Sequence, residues 1–556
     1  MSDTSDRGGM RRRTFLRAWS IVTLAIAGGP SLLQSTASAA PARQQRAAQQ
    51  TIRFATTGQI ASGFFPAGFA SEERVMLSNI FLPPLVRDKD HNLHPGLLAS
   101  YQPNTDGSAW TLQLDPRVTW SDGSKLNAAD VKAGWEWTNA PLPEGVQLQK
   151  FFGLIDRSMD NIQGQKEHRA GQASDMSGIQ VIDDQTLTVT LNRPDYIFPQ
   201  KLAVPTMGVM KAAQANNDPF VFQKPECLVN GPYYATTYDP DGKQYVFEPN
   251  PNWWGDPVTV RRVEFLTDLQ ESTQYTMWQN NEIDVAAFFG PVLNQLYAGP
   301  DKDLVVYHPY GGIAWGLFLN VTKDPASDLN LRKAMLHSVD TIGIIKAVFG
   351  DTQRASIGIV PPELPCWTQR DATYPYDVGL AKSFLAQSKY GSAANVPPMQ
   401  LAIWWDEPLP QFDAIVEQWR TNLGLRVEIV KDKTATTPNP QKEYDLTLWS
   451  IGAIIPDAVL FSKSAMIFKG GGAWPQSHYD NPQVDTILEN AEALPASDGQ
   501  RCALVSQGEQ LVLNDYAVMP VQRVTYRHFV KPWVNGWVTN VDLSPYTLPS
   551  IYVADH

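Results

Sequence analysis

Cysteine is scarce in this chain: Cys227, Cys366 and Cys502 are the only three in 556 residues. They form no CxxC pair and no metal-ligand spacing, which leaves either one disulfide with one free thiol or three buried thiols. Positive charge is also short. Lys and Arg number 45 against 57 Asp and Glu, for a net charge of −12, so the basic surface that nucleic-acid phosphates require is excluded. Residues 1–39 hold two aspartates and five arginines, so the remainder is more acidic still, and an anionic membrane surface would repel it. The sequence contains no HExxH, no GxSxG and no GxxxxGKS or GxxxxGKT, the signatures of zinc hydrolysis, nucleophilic serine and phosphate cradling. His91 and His94 lie three apart beside Asp88 and Asp90, for which a solvated polar turn is the plainer reading than a metal site. A Ser-His-Asp triad assembled from distant residues is recognised by geometry and not by order, and nothing in the sequence points to one. Internal repeats are absent. These gaps predict no enzyme, no cofactor and no metal.

What remains is ample. The chain is too long for one hydrophobic core, so two or three domains are expected. Hydrophobic residues at 43% and charged residues at 18% describe an ordinary soluble globular protein. At the start, Arg12-Arg13-Thr14-Phe15-Leu16-Arg17 resembles the twin-arginine export motif, with Arg11 in place of the usual Ser or Thr. An apolar run from Ala18 to Leu33, broken by Gly28-Gly29-Pro30, leads to Ala37-Ser38-Ala39, a small-residue cleavage site. That run is too short and too broken for a spanning helix. No cysteine follows it, so the protein has no lipid attachment point there and is expected to be exported, periplasmic or otherwise extracytoplasmic, and soluble. Residues 40–50 read as a polar tether.

The most legible stretch is Leu93 to Trp137. Asn104-Thr105-Asp106-Gly107 is a turn, and Trp110, Leu112 and Leu114 alternate with polar residues as in a half-buried strand. Ser121-Asp122-Gly123 makes a second turn. Asn127 then caps a helix with acidic Asp130 in its first turn and Val131, Trp135 and Thr138 on one face. Pro95, Leu98-Ala99, Asp106-Gly107, Leu114, Val118, Trp120, Asp122-Gly123, Ala128, Asp130 and Val131 together resemble the core motif of the family 5 solute-binding proteins, the extracytoplasmic receptors of peptide-type ABC importers. Further motifs follow in that family's order. They are the hairpin from Ile179 to Leu191, Asn230-Gly231-Pro232-Tyr233-Tyr234, Asn250-Pro251-Asn252-Trp253-Trp254, and the turn Asn280 to Ala286. In that turn Asn281 stands where the family has Gly, and Asn tolerates a left-handed backbone. Gln400 to Trp405, a helix from Pro410 to Leu423, and Leu425 to Val430 read as strand, helix and parallel strand.

The resemblance implies an α/β, two-lobed periplasmic-binding-protein-like fold of the large type II form, with an extra subdomain at about residues 90–200 of the first lobe. The expected division is residues 51–311 for the first lobe, 312–518 for the second, and 519–556 for the return to the first. It also implies a monomer that captures a peptide or peptide-like solute between its lobes and delivers it to a membrane permease. The alternative is a non-peptide solute such as an oligosaccharide, opine or metal complex. A hydrolase on the same scaffold is the reading from another class.

Candidate cleft residues are Phe64, Phe65, Trp404, Trp405, Trp449, Ile451, Gly452, Asp457 and Trp474. The aromatic faces suit sugars, apolar side chains or cations, and packed core positions are the competing reading for each. In peptide-binding members an Asp shortly after a Trp pairs with the peptide's α-amine. Counted from Trp449, that position is Gly452 here, and Ile451, Ile454 and Ile455 fall in what should be a polar pocket. Asp457 follows Pro456 and is placed either to cap the next helix or to touch ligand.

Overall fold

A computed structural model describes residues 49–555 except 59–65, 67–73, 89, 91, 143, 145, 147–154, 156–157, 240, 242, 289, 291, 406–407, 433–434, 436–442, 453–454, 456, 467–477, 496 and 539–550. The export segment therefore lies outside the described residues, as do Phe64, Phe65 and Trp474.

Two long strands, Val305–Leu319 and Val518–Val530, run side by side and tie the molecule together. Val305, Val306 and Tyr307 pair antiparallel with Phe529, His528 and Arg527, next to the first-lobe strand Val285–Ala286. After a register break between Tyr307 and Gly312, residues Gly312–Phe318 pair with Thr525–Val518, next to the second-lobe strand Leu446–Gly452. Both strands therefore cross from one lobe to the other. The boundary expected at 519 falls inside Val518–Val530, which stays with the second lobe through Val524 and joins the first at Arg527. At the crossing the strands approach closely, and a Cβ on Gly316 would stand 2.4 Å from the Met519 carbonyl oxygen, so only glycine fits there.

One eleven-stranded sheet results. Its first-lobe half carries Thr51–Ala55 parallel to Arg262–Leu266, followed by the hairpin of Tyr233–Asp239 and Gln244–Pro249. Its second-lobe half carries Met399–Ile403 parallel to Val427–Lys431, joined by the helix Pro410–Leu423, as the sequence pattern predicts. Proline opens this helix, where its missing N–H costs nothing, and Gly424 closes it at φ 79°. A separate four-stranded antiparallel sheet lies within the residues expected for the extra subdomain, in the order Leu98–Pro103, Ala109–Leu114, Thr186–Thr190, Ile179–Val181. Trp110, Leu112 and Leu114 are buried and alternate with exposed Thr111 and Gln113.

The helix Ala128–Asn139 has a full capping box: the Asn127 side chain accepts from the Asp130 N–H, and Asp130 accepts from the Asn127 N–H. Asn281 adopts φ 56°, the left-handed conformation its position requires. Asp377 caps Val378–Gln387 as its position predicts. Leu380 on that helix is 39% exposed, though, so only Ala381, Phe384 and Leu385 carry the buried face. The stretch from Pro141 to Ser177, polar in composition, still sends Ile155, Met159, Ile162 and Met176 into the first lobe's core. Cys366 and Cys502 form a disulfide and Cys227 is a buried free thiol, which decides between the two arrangements.

Candidate ligand-binding cleft

The crossing strands form the floor of a cleft between the lobes. Trp315 and Gln522 stand directly opposite each other on the two strands, and both line it. Thr57, Glu271 and Gly290 face them from the first lobe. Phe349, Trp405 and the run Pro408–Gln411 come from the second. The space among these residues is about 480 Å³ with open solvent included.

Local structure explains how each group arrives. Glu271 opens the helix Glu271–Gln279, and its Oε1 accepts the Gly290 N–H at 2.8 Å. That approach needs glycine, because a Cβ on residue 290 would lie 2.5 Å from Glu271 Oε2. Gln411 sits in the first turn of Pro410–Leu423. It is 1% exposed and donates its Nε2 to Gln522 Oε1 at 2.8 Å. Gln522 in turn donates to Gln353 Oε1, so the floor is an amide relay between the helix start and the crossing strand. Trp405 meets Trp315 edge-on with ring centroids 5.9 Å apart, and the two indoles with Phe349 make an aromatic wall. The described lining contains one charged side chain, the Glu271 carboxylate, and no Lys or Arg. A ligand group placed here meets aromatic faces, neutral amides and a negative charge.

Of the sequence-predicted residues, Trp405 lines this cleft. Trp404 turns the other way: its Nε1 donates to the Leu448 carbonyl at 3.2 Å and its ring packs on the second lobe's core. Trp449 lies on the strand Leu446–Gly452 opposite Gly316, and its side chain lies outside the described set. Ile451 corrects an expectation. It is 2% exposed and packs with Ala314, Phe318 and Val459 in the second lobe's core, so it intrudes on no polar pocket. Strand alternation puts Ile451 on the same face as its cross-strand partner Ala314, toward this core. Ile455 is likewise buried, in a small cluster with Ile197, Val204 and Leu460. Gly452 ends the strand, paired with Ile313, and is not among the lining residues.

Asp457 is 6% exposed and accepts the Leu460 N–H at 2.9 Å, capping the helix Ala458–Met466. Both its oxygens also accept from Arg501, at 2.6 and 3.0 Å. Its hydrogen-bonding capacity is thus spent inside the lobe. His94 bonds Asp88 at 2.9 Å, and among the described residues no three His, Cys, Asp or Glu side chains are grouped to hold a metal.

Sequence reasoning missed every lining residue except Trp405, the polar ones among them being Thr57, Glu271, Gln411 and Gln522. Trp315 reads as an ordinary buried-strand residue.

The family model described as bacterial extracellular solute-binding proteins, family 5 Middle, matches residues 92–469. The chain belongs to that family. The periplasmic oligopeptide-binding protein OppA of Escherichia coli K12 is 27% identical over 499 residues, covering 86% of this chain and 88% of that protein. Among solved structures, the Escherichia coli murein tripeptide binding protein MppA superposes with a TM-score of 0.79 at 20% identity, covering 91% of this chain and 99% of its own. OppA of Haemophilus influenzae, solved in complex with the peptide RPPGFSPFR, gives 0.77 at 19% identity with the same coverage. The two-lobed α/β architecture is thus shared across nearly the whole length of a family of binding proteins.

Proposed function

We propose that this chain is the exported substrate-binding component of an ABC importer, holding a peptide or peptide-like solute between its lobes for delivery to a membrane permease. The observation that carries the reading is the family membership over residues 92–469, joined to an interlobe cleft whose floor is the pair of crossing strands. Relatives named for oligopeptides and a murein tripeptide support a peptide. So does the lining, since aromatic walls and neutral amides suit a peptide side chain and Glu271 suits an ammonium group. No covalent step is required. The solute favours the arrangement in which both lobes touch it, and the permease reads that arrangement. Among the described residues no helix is long and apolar enough to cross a membrane. The Arg12-Arg13 leader supports export to an extracytoplasmic compartment.

A second reading, a non-peptide solute on the same fold, is favoured by one observation. The position expected to anchor a peptide amine is Gly452, a residue without a side chain. Thermal melts of the mature protein against di- to nonapeptides, with free and acetylated N-termini, and against oligosaccharides, opines and metal complexes separate the two. Peptides raise Tm in proportion to RT ln(1 + [L]/Kd). A shift confined to the other solutes replaces the peptide reading, and chemical turnover of any ligand overturns both.

A further inference from the structure

A second set of contacts joins the lobes, and it shares no residue with the cleft lining. From the first lobe come Asp160, Arg193, Asp195 and Lys201; from the second, Lys463 and Glu492. Lys201 is fully buried, with its ammonium 2.7 Å from Asp195 and 3.0 Å from Glu492. Glu492 is fully buried as well, and besides Lys201 it accepts from Arg193 Nε at 3.1 Å and from Lys463 at 2.7 Å. Lys463 reaches Asp160 at 3.5 Å. Beside the ions, Ile197 and Val204 of the first lobe pack on Ile455 and Leu460 of the second, all at most 5% exposed.

The arrangement is costly unless every charge is matched, because burying ions loses several kcal/mol of hydration each. Here the three cations face three carboxylates, Asp160, Asp195 and Glu492, and a fourth, the half-exposed Glu489, lies 3.9 Å from Arg193. Burial alone would push the Glu492 carboxyl up, but Lys201, Lys463 and Arg193 hold it well below the usual range. The division between lobes is the informative part. The first-lobe half holds two cations and two carboxylates, and the second-lobe half holds Lys463 with Glu492 and the half-exposed Glu489. When the lobes part, each buried charge keeps an internal partner, Lys201 with Asp195 and Lys463 with Glu492, while Arg193 and Glu489 at the rim are free to be solvated. A contact meant only to cement two lobes has no need of buried charges that are partnered within each half. A contact made and broken repeatedly does, since stranding a buried charge on each opening would be prohibitive.

We propose that this cluster is a reversible latch between the lobes, with Glu492 as the positioning residue that sets how strongly they rest together in the absence of ligand. Closure is then a two-point event. Solute bridges the cleft, while Glu492 engages Arg193 and Lys201 at the edge of the extra subdomain.

The test is a distance measured between the lobes of the ligand-free mature protein. Spin labels are attached at exposed Gln172→Cys in the first lobe and Asn490→Cys in the second. The native cysteines are a disulfide and a buried thiol and do not compete. Glu492→Gln removes the negative charge that faces Arg193 and Lys201, and it is expected to move the ratio of separated to contacting lobes by at least about tenfold. Lys463→Met breaks the same Lys463–Glu492 pair and the longer Lys463–Asp160 contact but leaves Glu492 bridging to Arg193 and Lys201, so its distances are expected to shift by a clearly smaller factor than those of Glu492→Gln. A role confined to second-lobe stability would move the two variants equally. Equal shifts, or an unchanged distance in Glu492→Gln, overturn the latch. Should Glu492→Gln fail to fold, Arg193→Gln, at a side chain 31% exposed, is expected to shift the distance the same way by a smaller factor. No shift there overturns the proposal as well. None of these outcomes depends on which solute the cleft takes.

Discussion

Replacing Asp457 by Asn separates a structural carboxylate from a ligand-binding one. Asp457 and Arg501 are 6% and 3% exposed and share two hydrogen bonds, which tie the helix Ala458–Met466 to Gly499–Asn514. Arg501 has one further partner, the Ala491 carbonyl at 3.2 Å. Asn at 457 keeps an oxygen for the Leu460 N–H, so the helix cap survives. What is lost is the negative charge, leaving a buried guanidinium with one carbonyl. Breaking a buried pair in this way costs about 3–5 kcal/mol. A unit the size of the second lobe shifts its Tm by about 2–4 °C per kcal/mol, so a fall of about 10 °C is expected by calorimetry. The double variant Asp457→Asn with Arg501→Met removes both charges and is expected to recover much of the loss, since buried pairs exchange for apolar contacts at little net cost. The reasoning fails if Asp457→Asn melts within about 2 °C of wild type while ligand affinity drops. That pattern would place the carboxylate in the binding site.

Three further outcomes follow from the cleft and the core. Gly290→Ala drives a Cβ into the Glu271 carboxylate; ligand affinity measured by calorimetry should fall about tenfold or more with Tm changed little, and unchanged affinity would remove Glu271 from the site. Gly452→Asp supplies the amine anchor that the peptide-binding relatives' pattern implies; affinity for free-amine peptides over acetylated ones should rise, and no change would show that the anchor position lies elsewhere. His528 is buried against Phe54 and accepts from Trp537 Nε1, and burial lowers its pKa to about 3. Because the unfolded chain binds this proton near pH 6.5 and the folded chain does not, stability falls as pH drops from 6.5 towards 3, at up to about 1.4 kcal/mol per pH unit. Urea midpoints for His528→Gln, which keeps an acceptor for Trp537, should lose that part of the slope, and an identical slope would contradict the assignment.

Local structure was legible wherever its cause was local. The Asn127–Asp130 box, the left-handed Asn281, the Asp377 cap and the strand–helix–strand at 399–431 each depend on residues within a turn or one helix of each other. The cleft was not legible for the same reason in reverse. Thr57, Glu271, Gly290, Trp315, Phe349, Gln411 and Gln522 come from separate segments and meet only after the two crossing strands have brought the lobes together. Single polar residues of this sort leave no period or spacing to detect. Ile451 packs into the core because it shares a sheet face with its cross-strand partner Ala314 and with Phe318, a pairing between distant segments that local spacing does not show.

The placement of Trp315 and Gln522 has a mechanical consequence. They lie between the register break at Tyr307/Gly312 and the irregularity at Trp315/Gly316, where the crossing strands depart from regular pairing. A solute seated on them therefore touches the segment through which the lobes would move relative to each other, and touches the first lobe through Thr57 and Glu271. Such a solute shifts the lobe equilibrium only by its difference in affinity for the two arrangements. The ion cluster at Glu492 acts on the same equilibrium from another place, with no solute involved. Strengthening it lowers the share of closure that the solute must supply, which raises apparent affinity. It also raises the work needed to part the lobes and release the solute. A cluster in which the buried charges of each half keep a partner of their own keeps that second cost low, so tight capture and ready release need not exclude each other.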